Sequence, residues 1–139
     1  MFERFRSAKK VLRADKTAQH IISFLEPCLI LVWADGGLNP KLQSDEFVLG
    51  YIYGVIAAFL DAVKVSDQEE VGWTIRQVFE RLFPSHGKSV TELCNQKAIQ
   101  KNSEFARSVP LGYTEMIEVF NADGQKILDS LLYHVSNSY

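Results

Sequence analysis

Four groups of residues have types and spacings that could carry chemistry. Gly87-Lys88-Ser89 has the ending of a phosphate-binding loop, where glycine amides and a lysine cradle phosphate oxygens. That loop needs a glycine five residues earlier, where Leu82 stands, and a preceding strand, where the pattern is helical. A helix start at Ser89 leaves only weak anion binding by its free amides. Asp35 to Glu46 spans twelve residues between two helices, the length of a calcium loop. Asp35, Asn39 and Glu46 fall on its first, fifth and twelfth positions. Gly37 stands third and Pro40 sixth, where the sharp turn needs glycine, so too few oxygen ligands remain.

The histidines are His20, His86 and His134, none with another histidine four residues away. No Glu-x-x-His occurs, which argues against a di-iron bundle, and no Cys-x-x-Cys, which argues against a structural zinc. His86 is the candidate axial ligand if the chain holds haem, but it lies in the loop Pro84–Lys88. Cys28 sits in the apolar run Cys28–Trp33, where a thiol behaves as a small hydrophobe. Cys94 lies near Val90, Leu93 and Ala98, with nothing adjacent to lower its pKa. No serine occupies a Gly-x-Ser-x-Gly turn, and Asp61 reads as a helix-end carboxylate emerging into water. Catalytic, cofactor-binding and metal sites are therefore read as none, and no cofactor is expected.

The elements that would position these residues are helical. A first helical region covers Phe2 to Trp33, with a break or kink expected at Pro27 and a glycine C-cap in Ala34-Asp35-Gly36-Gly37. Leu38 to Ser44 reads as a loop. The second helix, Asp45 to Val63, is capped by Ser44 or Asp45 and reads FVLGYIYGVIAAFL, apolar on every face. Its uncharged run is 14 residues, short of the roughly 20 needed for a membrane span. It is read as a central buried helix. Gly50, Gly54 and Ala58 form a row on which another helix can pack closely.

A third helix opens at the capping box Ser66-Asp67-Gln68-Glu69 and runs to Phe83. Val71, Ile75, Val78, Phe79 and Leu82 share its apolar stripe, with Trp73 on the far side. A fourth helix starts at Ser89, weakens near residues 101–103 and is expected to end before Pro110. A fifth is expected from Gly112 to Val135. There Tyr113, Met116, Ile117, Phe120, Gly124, Ile127, Leu128, Leu131 and Val135 hold one phase throughout. Gly124 on that face marks a close helix crossing. Val119, Ala122 and Tyr133 form a second apolar strip, and residues 136–139 read as a frayed tail. Strand signals are nearly absent. The Ala-Asp-Gly at residues 34–36, repeated at 122–124, resembles in those few residues the helix ends of TerB-like domains of tellurite-resistance systems. The second copy falls inside an expected helix without the acidic residues that should follow it, so the likeness assigns no function.

Composition agrees with one helical domain over residues 1–139. Apolar residues make up 47% and charged residues 23%, a globular balance with a net charge of −2. The charge is uneven. Arg4, Arg6, Lys9, Lys10, Arg13 and Lys16 meet only Glu3 and Asp15 in the first sixteen residues; the rest carries nine bases against fifteen acids. Residues 1–14 read as a basic amphipathic helix. No signal-peptide apolar segment follows Met1, and a cytoplasmic setting is expected.

The sequence thus predicts an all-α, single-domain bundle of about five helices around helix 45–63. It predicts a non-catalytic interaction or regulatory module that self-associates or binds a protein partner, with Trp73, Val119, Ala122 and Tyr133 as interface anchors. The alternatives are an adaptor for a membrane surface, with nucleic acid disfavoured, using the basic amino-terminal helix, or a helical enzyme or haem protein with unrecognised ligands.

Overall fold

The computed structural model describes residues 2–34, 36–123 and 126–139, with side chains from Ala8 onward. Among these residues there are six α-helices, two short 3-10 turns and a two-stranded antiparallel sheet. The helices are α1 (Phe2–Leu29), α2 (Glu46–Ala62), α3 (Gln68–Leu82), α4 (Gly87–Ala98), α5 (Glu104–Asn121) and α6 (Asp129–Ser138).

α2 is the best-specified element. Asp45 caps it by accepting the Val48 amide, and Glu46 suits its positive end. Eleven of its residues are buried, so it runs through the core. Its main partner is α5. A Cβ on Gly54 would fall 2.0 Å from the Val109 carbonyl oxygen, and one on Gly112 of α5 would fall 2.1 Å from the Tyr51 carbonyl oxygen. At both points backbone lies against backbone, which only glycine allows. Gly50 faces Phe105 and Ser108 of α5 in the same way.

Several expected boundaries move. α1 ends at Leu29, not at the glycines, and Pro27 lies in its last turn, where its missing amide costs the helix one bond close to its end. A 3-10 turn follows at Ile30–Val32. Trp33–Ala34 then pairs with Gly37–Leu38, Trp33 opposite Leu38 and Ala34 opposite Gly37. Gly36, just before the second strand, has the positive φ (93°) that a tight hairpin turn demands. The flanking residues are too few to show any alternation, so the hairpin leaves no period in the sequence. The expected loop at 38–44 contains a 3-10 turn at Pro40–Ser44, started by Asn39.

The expected break at Pro110 is absent. α5 starts at Glu104, with the Ser103 hydroxyl accepting the Ala106 amide, and carries Pro110 inside it. An interior proline costs about 3 kcal/mol; burial of Phe105, Ser108, Gly112, Met116 and Val119 on either side outweighs it. The expected single helix 112–135 is two helices instead. α5 stops at Asn121, Ala122 caps it, and Asp123 takes a left-handed φ of 50°. The chain becomes helical again at Asp129, so the uninterrupted stripe in the sequence is folded back on itself. α6 continues through Ser138, beyond the expected start of fraying at Ser136. One apolar core joins residues from all six helices, including Ile21, Leu25, Ile52, Phe79, Phe105 and Leu131.

Candidate functional site

The cleft between α5 and α6, over the start of α2, gathers polar and aromatic groups from three helices. It encloses about 480 Å3 and is lined by Phe47, Leu111, Ser130, Tyr133 and His134, among others. Its floor is a ring stack. The His134 imidazole lies 4.3 Å from Phe47 at 21°, and Phe47 lies 6.1 Å from Tyr51 at 25°. Tyr133 stands at the rim with 72% of its surface exposed, and Leu111 faces it from α5.

Two carboxylates behind the cleft hold α6 at its two ends. Glu115 of α5 takes the first turn: its Oε1 accepts the Ser130 amide at 3.0 Å and the Tyr51 hydroxyl at 2.7 Å, and its Oε2 accepts the Ser130 hydroxyl. α6 has no cap of its own at Leu128, so a carboxylate from another helix satisfies the free amide and opposes the dipole. Asp45 takes the far end. Its Oδ2 meets His134 Nε2 at 2.9 Å and accepts the Tyr139 hydroxyl at 2.7 Å, while Oδ1 caps α2.

These environments shift proton affinities. Burial pushes Asp45 up, but bonds from His134, Tyr139 and the Val48 amide outweigh it and hold the carboxyl below its ordinary value. Burial, then the bond to Glu115, drives the Tyr51 phenol far up, so it stays a neutral donor. Tyr139 is pushed up to about 12 by partial burial and by Asp45.

A serine and a histidine therefore share one cleft, with the Asp45 carboxylate bonded to the histidine behind it. Ser130 and His134 lie one turn apart on α6, yet the Ser130 hydroxyl donates to Glu115. A nucleophile needs its proton directed to a base, and here the hydroxyl serves a helix cap. The polar groups are arranged to fasten α6, leaving Tyr133 and the apolar walls to face outward.

The other candidate residues lie elsewhere. Val119 is in the core, Ala122 is the half-buried C-cap of α5, and Tyr133 is on a different helix, so the break after Asn121 separates the expected strip. Trp73 is half-buried on α3, with the Arg76 guanidinium 5.6 Å from its ring centre. Ala58 is buried on α2, and Gly124 lies outside the described residues. In the basic segment, Lys10 pairs with Asp67 at 3.0 Å and Glu69 at 3.5 Å. Arg13 forks onto the buried Glu70 at 2.7 and 2.9 Å. Lys9 and Lys16 are exposed, and the Arg4 and Arg6 side chains lie outside the described residues. α1 is thus fastened to α3 by ion pairs that no sequence period could reveal.

The remaining chemical motifs resolve locally. α4 begins at Gly87, where a Cβ would fall 2.3 Å from Glu80 Oε2, so a carboxylate of the chain already faces that helix start. Asn39 accepts the Lys41 amide, and Asp35 lies outside the described residues. His86 is exposed in the turn before α4. Cys94 is buried, and burial pushes its thiol up to about 12. Among the described residues no three His, Cys, Asp or Glu side chains converge to hold a metal ion, and no helix is long and apolar enough to cross a membrane. The chain matches no protein-family model, no curated protein and no solved structure.

Sequence reasoning missed Glu115, Ser130, Asp45 with His134, and Tyr139. Their partners are separated by 15 to 94 residues. No local signal marked them, because the start of α6 after Leu128 is itself absent from the sequence pattern.

Proposed function

We propose that this chain is a non-catalytic helical interaction module that binds a second copy of itself through the α5–α6 cleft. The observation that carries the reading is Tyr133, exposed at the rim of the depression walled by Phe47 and Leu111. A projecting aromatic beside an apolar hollow is a knob next to a hole. A two-fold axis makes that pair self-complementary, each Tyr133 entering the other copy's cleft. Tyrosine suits the role, with a large amphipathic surface and few rotors.

A second observation supports a binding role over chemistry at this place. The carboxylates, the histidine and Ser130 all serve to hold α6. The adaptor reading draws less support, because Lys10 and Arg13 of the basic segment are paired with acids of α3.

Sedimentation velocity of the native protein over a wide concentration range tests the proposal. The expected result is a reversible monomer–dimer equilibrium that Tyr133→Glu weakens at least tenfold without changing the far-UV spectrum. A dimer indifferent to Tyr133→Glu, or a chain that stays monomeric at high concentration, overturns it.

A further inference from the structure

The α5–α6 junction is where sequence and structure pull apart. Tyr113, Ile117, Phe120, Ile127, Leu128, Leu131 and Val135 keep one helical phase, the pattern of a single long helix. The chain instead leaves the helix at Asn121 and resumes it at Asp129. No proline lies between them. The turn uses a non-glycine residue, Asp123, at a φ of 50°, a conformation that costs L side chains energy.

What holds α6 back is almost wholly tertiary. Leu128, Leu131 and Val135 are buried against the body. Glu115 binds Ser130, and Asp45 binds His134 and Tyr139. Among the described residues of the turn, Lys126 ties the segment to α5 through an exposed ion pair with Glu118. The burial of Leu131 and Val135, the Ser130 hydroxyl bond to Glu115 and the bonds of His134 and Tyr139 to Asp45 can all be made by the α6 of another copy; the Ser130 amide bond to Glu115 cannot, because in a continuous helix that amide bonds within the helix. The turn conformation and the Lys126–Glu118 pair are lost in the exchange, and helical bonds across residues 122–128 replace them.

We infer that α6 exchanges between two copies of this chain, α5 and α6 becoming one continuous helix and each α6 docking on the partner's Glu115 and Asp45. Exchange of an identical element is a low-cost route to a dimer, and a short strained hinge favours it. The inference rests on the self-association proposed above for its partner and gives that association a second geometry. The receiving site is incomplete without the partner, because His134 and Tyr139 must come from it to satisfy Asp45.

Position 123 supplies opposite tests. Asp123→Gly removes the cost of the left-handed turn and weakens a straight helix; Asp123→Ala does the reverse. The full chain is unfolded in guanidinium, refolded at high and at low concentration, and run by sedimentation velocity before and after dilution. The expected result is a dimer formed on concentrated refolding that survives dilution, because release requires unfolding. Its fraction should fall several-fold in Asp123→Gly and rise several-fold in Asp123→Ala. Equal fractions in the two variants, a dimer that dissociates promptly on dilution, or monomer alone after concentrated refolding each overturn the exchange. Tyr133→Glu separates the two proposals. A dilution-resistant dimer that persists in Tyr133→Glu supports exchange and not the cleft contact. A rapidly reversible dimer lost in Tyr133→Glu but unmoved at position 123 supports the cleft contact and not exchange.

Discussion

The α2–α5 seam and the α6 dock are built by opposite means. At the seam, glycines bring two backbones together, and Gly54 meets the Val109 carbonyl with no side chain between them. At the dock, three apolar side chains are buried while Glu115 and Asp45 reach out to fasten the two ends of the helix. Close backbone contact tolerates no change of volume, so the seam is a single fixed arrangement. Side-chain clasps are separate contacts, each removable by a single substitution. On the proposed reading the seam is the rigid frame, and the dock is a fastening expected to open below the cost of global unfolding.

The sharpest way to break this contrast is at the seam. Gly54→Val should destabilise the fold by about 3 kcal/mol or more, read as a loss of urea midpoint with α2 and α5 failing together. A Val that is accepted at no cost would mean that the two backbones are not in contact. On the other side, Leu131→Ala should remove about 2–4 kcal/mol of α6 docking. It should accelerate amide exchange in α6 far more than in α2; equal acceleration in both helices would erase the distinction between frame and fastening.

Acid should loosen the fastening before the frame. The folded Asp45 carboxyl lies below its ordinary 3.8, so the clasp adds stability that is complete above that value. It is lost as the pH falls through the lowered folded value. Amide exchange of α6, compared at pH 7 and near pH 3, should show selective loss of protection in α6, and Asp45→Asn should abolish that selectivity. The smallest effect belongs to the amino-terminal pairs. Lys10 meets Asp67 and Glu69 at the surface, where ion pairs contribute little, so Lys10→Ala should leave the urea midpoint unchanged within error.

What was legible in the sequence followed local rules. The cap at Asp45, the apolar run behind it and the stripe Ile75–Val78–Phe79–Leu82 were all visible as spacing, and α2 and α3 lie within a few residues of where they were expected. What was not legible depended on distant partners. Pro110 reads as a stop because its missing amide is local information, whereas the packing that overrides it comes from α2. The hairpin at 33–38 is too short to carry a period. The break after Asn121 is opposed by the local pattern and imposed by the dock, which is assembled from residues as far back as Asp45. The same limit hid the cleft: its floor joins Phe47 to His134, and no window of sequence contains both.

The two cysteines measure the difference between frame and fastening in one tube. Cys28 lies beside the start of α6, lining one hollow with Ile127 and Leu128, while Cys94 is buried on α4. Thiol labelling of the native protein should modify Cys28 at least tenfold faster than Cys94, through an opening whose rate barely changes in low urea. Labelling of both cysteines at one rate with the same steep urea dependence would mean that α6 leaves only when the whole protein unfolds, and would contradict the account.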